Sequence, residues 1–188
     1  MTAAEAPSAE VRARWRAVSL AFAVAFVAAG VGLQAEIPLN RDIAYLVYAD
    51  IRLLAGDAVF GSDAPVNYTL LLASNHFLYL IPALLIHLLG APTAVAIKAY
   101  VVAIAGLALG YVARFAGSQV RPAAWLLVPG AAFFSMIFPV DGFGQRDHLF
   151  FMLLLPYVLH VLRRDHAGPA SWPIAAMTAV AVAIKPYF

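Results

Sequence analysis

From residue 17 to residue 35 the chain carries no charged side chain, and five further apolar stretches follow at approximately 69–89, 92–113, 122–139, 149–162 and 170–188. A helix that crosses the hydrocarbon layer of a bilayer needs about 20 such residues. In lipid, backbone donors and acceptors must bond to one another, which leaves helices and closed barrels as spanning structures. The short alternating segments of a barrel are missing here. The expected fold is therefore all-α, a polytopic transmembrane helical bundle. Composition agrees: 64% of residues are hydrophobic and 12% charged, whereas a soluble domain is about 45–50% apolar and about a quarter charged.

The formal net charge of +2 is too small to point to nucleic acid. Basic residues sit at the ends of apolar runs, where they anchor and orient helices. Cysteine is absent, which excludes disulfides and thiolate metal sites. Arg12, Arg14 and Arg16 precede the first apolar run. That run is longer than the 7–15 residues of a signal peptide's apolar core, so it reads as a retained first span. Residues 1–16 are then a cytoplasmic tail and 17–188 a transmembrane domain. The chain stops at Lys185-Pro186-Tyr187-Phe188 beside an apolar stretch, and we expect a longer parent protein.

Two polar segments interrupt the apolar pattern. Residues 36–68 form a loop with Glu36, Arg41, Asp42, Asp50, Arg52, Asp57 and Asp63. Within it, 42–55 has no breaker, and Ile43, Leu46, Val47, Ile51 and Leu54 give it an apolar side. This predicts an amphipathic helix at the membrane surface, capped by Asp42 and ended by Gly56. The second segment is 139–148, where Asp141, Arg146, Asp147 and His148 accompany Gly142 and Gly144.

Topology is ambiguous by counting alone. If every stretch crosses, 139–148 lies inside and Arg114, Arg121, Arg163 and Arg164 lie outside, against the positive-inside tendency. If 69–89 or 92–113 is re-entrant or partly inserted, the arginines face the cytoplasm and 139–148 joins 36–68 outside. We favour the second arrangement. Pro82, Pro129 and Pro156 fall inside apolar stretches and are candidate kink sites.

Two constellations are candidates for chemistry. Asp42 is either a first-turn carboxylate favoured by the helix dipole or a general base at the water–lipid boundary, where water contact keeps it ionised. Asp141, Gln145, Arg146, Asp147 and His148 are either a solvated loop with a snorkelling arginine or a phosphate site. Glycines beside the cluster let backbone approach a ligand, and a guanidinium binds phosphate oxygens through paired hydrogen bonds. His76, His87, His160 and His166 have no carboxylate or cysteine partners at ligand spacing, and His76 and His87 read as packing or interfacial residues. No phosphate-binding glycine loop with lysine, zinc-protease helix or nucleophile elbow is present.

Arg41-Asp42-Ile43-Ala44-Tyr45, Leu54-Ala55-Gly56-Asp57, Asp63 and Asn67-Tyr68-Thr69-Leu70 resemble the first outer loop of the GT-C superfamily of membrane glycosyltransferases. The similarity is to the branch that resembles dolichyl-phosphate-mannose-protein mannosyltransferases. Gly144-Gln145-Arg146-Asp147-His148-Leu149, then Leu155-Pro156-Tyr157, resembles a Gly-Gln-Arg-Glu-His-Leu motif followed by Leu-Pro-Tyr in bacterial members. Lys185-Pro186-Tyr187-Phe188 is similar to a later Lys-Pro-His-Phe element. The chain departs at Ile43, where the superfamily often has glutamate, at Tyr68-Thr69, where it often has two prolines, and at Asp147 in place of glutamate.

The resemblance implies the N-terminal part of a GT-C-like bundle in a bacterial inner membrane, and a transferase within a longer chain. The implied reaction moves a sugar from a polyprenyl-phosphate donor to a glycan, lipid or protein acceptor on the outer face. It implies Asp42 as the base and Arg146 as the phosphate partner. Asp141, Gln145, Asp147, His148, Asp63 and Asn67 would line the substrate site, with no cofactor expected and no residue assigned as a metal ligand. The alternative is a transporter or flippase-like protein for a lipid-linked substrate, which needs the arginine but no base. A structural assembly subunit would need neither.

Overall fold

The computed structural model of the chain describes residues 7–57, 74–163 and 171–184. Among these residues there are helices and no strand. The first helix, α1 (Ala9–Glu36), begins inside the segment expected to be a tail, because the Ser8 hydroxyl accepts a hydrogen bond from the Val11 amide and caps it. Next come α2 (Arg41–Leu54), α3 (Ser74–Leu89) and α4 (Thr93–Ser118). A short 3-10 helix (Pro122–Leu126) leads into α5 (Leu127–Met136), a 3-10 turn (Val140–Gly142) follows, and α6 (Arg146–Leu162) and α7 (Trp172–Ile184) complete the set. Helices α1 and α4 are long and apolar enough to cross a membrane.

Local chemistry sets the ends of α2. Asn40, and not Asp42, is its cap: the Asn40 side chain accepts from the Asp42 amide at 2.9 Å. Asn40 stands one residue ahead of the helix, where a cap belongs, and Asp42 falls in the first turn. At the other end Gly56 adopts φ +84°, the Asp57 amide reaches back to the Arg52 carbonyl and the Gly56 amide to that of Leu53. This paired closure needs a left-handed residue, which glycine supplies without steric cost. The apolar side of α2 is buried against protein: Ile43, Leu46 and Val47 sit in one core with Leu78 and Tyr79 of α3 and Val101 of α4. The sequence reading had placed that side against the membrane surface.

The bundle has two chemically distinct ends. At one, the Arg16 guanidinium lies 5.6 Å from the Trp125 ring, and Arg114, Arg163 and Trp172 line a common cleft. At the other, the last turn of α1 meets the segment before α6, with Gln34 Nε2 donating to the Val140 carbonyl at 3.3 Å. Lys98 Nζ on α4 also donates there to the Gln34 and Ile37 carbonyls. Helix α1 therefore runs from the basic end to the polar end, and α4 returns. The 3-10 segment with α5 runs outward again, α6 returns to Arg163, and α7 starts from the basic end.

Helix α3 does not make such a passage. Its Tyr79 hydroxyl donates to the Gly144 carbonyl at 2.8 Å, at the polar end. Its last residue, Leu89, joins Thr93 through three residues that reach at most about 14 Å, while α4 is 26 residues and about 39 Å long. Both parts of α3 thus stay near the end where α4 begins. Segment 139–148 joins α2 at one end, and Arg16, Arg114 and Arg163 lie toward the other.

Small residues let helices touch. A Cβ on Gly30 of α1 would stand 2.5 Å from Met136 Cβ and 2.8 Å from the Met136 carbonyl oxygen. Bare backbone at Gly30 is what allows α1 and α5 to pack this closely. Large side chains elsewhere point outward: Phe22 and Val24 on α1, Leu88 and Leu89 on α3, and Leu107 on α4 are exposed. Pro82 and Pro156 lie inside α3 and α6, and Pro129 lies in the first turn of α5.

Candidate functional site

Segment 139–148 is partly helical: Arg146, Asp147 and His148 form the first turn of α6, with Gln145 ahead of it. Gly144 organises this turn. Its φ is +81°, and a Cβ there would meet Val101 Cγ2 at 3.0 Å and Ile43 Cδ1 at 3.4 Å. Its amide donates to His148 Nδ1 at 3.0 Å, and its carbonyl accepts from Tyr79. One residue thereby fastens the start of α6 to α2, α3 and α4. Phe143 beside it is buried, with its ring centroid 5.3 Å from that of His148. Val140 holds φ +36°, strained for a β-branched side chain, and its carbonyl accepts from Gln34.

The bonds of His148 settle its tautomer. Nδ1 accepts from Gly144, so the proton is on Nε2, which lies 2.9 Å from the Ser135 carbonyl oxygen and donates to it. His148 precedes the apolar run 149–162. Both ring nitrogens are thus taken up by backbone partners, and the ring also lines a groove. It is a neutral strut.

Asp42, Asp141 and Arg146 are exposed at the polar end. Asn40 Nδ2 donates to the Asp141 carbonyl at 3.4 Å, tying the entry to α2 against the turn before α6. The Arg146 guanidinium and the Asp42 carboxylate both lie close enough to the Tyr79 hydroxyl for their charges to act on it. The two residues assigned complementary roles from sequence therefore share one end and one neighbourhood. Gln145, Asp147 and His148 face a different surface. With Phe134, Phe138 and Phe151 they line a lateral groove of about 400 Å³. Neither Asp42 nor Arg146 lines it. Asp63 and Asn67 lie outside the described residues.

Several residues that build the site had no role in the sequence reading. Gln34 is buried at the end of an uncharged run, and Lys98 is the one charge between Thr93 and Arg114. A polar residue inside an apolar run is the signal that could have found both. Tyr79 gave no such signal, because a tyrosine in an apolar helix is common packing material. Asp50, one of the charged residues of 36–68, is fully buried on the inner side of α2. Among the described residues no group of three histidines or carboxylates is placed to hold a metal ion. Comparison with protein-family models, with curated proteins and with solved structures finds no match to this chain.

Proposed function

We propose that the chain is the membrane-embedded part of a glycosyltransferase that uses a polyprenyl-phosphate sugar donor at the polar end of the bundle, facing the outside of a bacterial inner membrane. Five segments would cross the bilayer: α1, α4, the 3-10 segment with α5, α6 and α7. Helices α2 and α3 would cap the outer end. Exposed Phe22, Val24 and Leu107 would face acyl chains, which removes the cost of leaving them in water. The arginines would lie at the cytoplasmic surface, as the positive-inside tendency requires.

The observation that supports the reading is that the start of α2 meets the turn before α6, where Asn40 Nδ2 donates to the Asp141 carbonyl, and that Asp42 and Arg146 are both exposed at this end. In the proposed step the Asp42 carboxylate takes the proton of the acceptor hydroxyl. The acceptor oxygen forms a bond to the sugar's anomeric carbon, and the bond from that carbon to the donor phosphate oxygen breaks. The phosphate leaves with the electron pair, and the Arg146 guanidinium stabilises its growing charge. The groove walled by Phe134, Phe138 and Phe151 adjoins this end and matches the apolar isoprenoid chain.

The test is transfer from a radiolabelled polyprenyl-phosphate sugar by membranes carrying the parent protein. Asp42→Asn is expected to lower turnover by a factor of about 10²–10⁴, with donor binding kept. Arg146→Ala is expected to weaken binding and turnover together. Wild-type turnover in Asp42→Asn would remove it as the base.

A further inference from the structure

The opposite end of the bundle holds a second cleft, of about 540 Å³, between α4, α6 and α7. Arg114 and Arg163 both line it, with Tyr111 and Trp172, and its floor includes Leu159 and Ile174. Among the described residues no carboxylate lines it and neither arginine makes an ion pair. Two guanidiniums beside an aromatic and aliphatic wall make a site for a ligand that has a phosphate at one end and hydrocarbon at the other. A guanidinium suits phosphate oxygens better than an ammonium does, because its planar donors bond two oxygens at once. Trp172 is 81% exposed at the mouth, a position in which an indole favours the headgroup layer.

We propose that this cleft binds the headgroup of an anionic phospholipid from the leaflet at the basic end. The phosphodiester would lie between Arg114 and Arg163, with an acyl chain along Leu159 and Ile174. A zwitterionic lipid brings its own cation and gains less from the arginines. Inorganic phosphate offers the same oxygens but no chain for the apolar wall. The proposal concerns a surface remote from Asp42 and Arg146 and is independent of the transfer reaction.

The experiment uses the whole chain in detergent, with Trp15→Phe and Trp125→Phe leaving Trp172 as the only indole. Short-chain phosphatidylglycerol, phosphatidylcholine and inorganic phosphate are titrated separately, and Trp172 emission is read. Phosphatidylglycerol is expected to give a saturable blue shift at concentrations where phosphatidylcholine and phosphate give none. The double substitution Arg114→Gln/Arg163→Gln should weaken that binding roughly thirtyfold, about fivefold for each cation. Arg121→Gln, at the same end but outside the cleft, should leave it unchanged. Equal response to the two lipids, or equal loss in Arg121→Gln, would overturn the proposal in favour of diffuse surface attraction. Saturation by phosphate alone would overturn it in favour of a soluble phosphate ligand.

Discussion

Gly144 carries more of the site's geometry than any charged residue. Its left-handed φ and its approach to Val101 and Ile43 leave no room for a side chain. Gly144→Ala should cost about 1–3 kcal/mol, seen as a lower thermal midpoint in detergent. Tyr79→Phe removes only the donor to the buried Gly144 carbonyl, a loss of about 1–3 kcal/mol.

Helix pairing makes a separate set of demands. Gly30 and Gly32 both lie in the interior of α1, yet a Cβ on Gly30 would collide with Met136 and one on Gly32 would meet nothing within 4 Å. Gly30→Ala should destabilise by about 1–3 kcal/mol through overpacking. Gly32→Ala should gain up to about 1 kcal/mol from helix propensity. Unfolding of the two variants in mixed micelles compares them directly. Sequence could not separate these glycines, because which one faces α5 depends on the rotation of α1 in the bundle. By contrast, the span of α2 was readable from the unbroken run 42–55 and from Gly56, since both signals are local. Its cap was misplaced by two residues because aspartate and asparagine are near-equal caps, and only geometry chooses between them. The partner of its apolar side was also hidden. Ile43, Leu46 and Val47 fit a lipid surface or a protein core equally well until α3 is in place.

At the scale of the molecule, hydropathy located the apolar helices but not their passage through the bundle. Helix α3 is as apolar as the others, yet it stays at one end because Tyr79 is held by Gly144 and because Gly90, Ala91 and Pro92 leave little chain before α4. Charge placement carries information that hydropathy lacks: Arg16 packs on Trp125, and Arg114 and Arg163 line one cleft. Of the two motifs the sequence offers, Asp42 and Arg146 share the polar end, while Gln145, Asp147 and His148 line the lateral groove. The site's connection through Gly144, Tyr79, Gln34 and Lys98 joins residues distant in sequence and was not legible. The central claim is that Asp42 and Arg146 occupy one face, opposite Arg163. The chain has no cysteine of its own, so single substitutions Asp42→Cys, Arg146→Cys and Arg163→Cys can each be probed with a membrane-impermeant maleimide on intact spheroplasts. The account predicts labelling of the cysteines at 42 and 146 from outside, and labelling at 163 only after lysis. Labelling of 42 and 146 from opposite sides would contradict it.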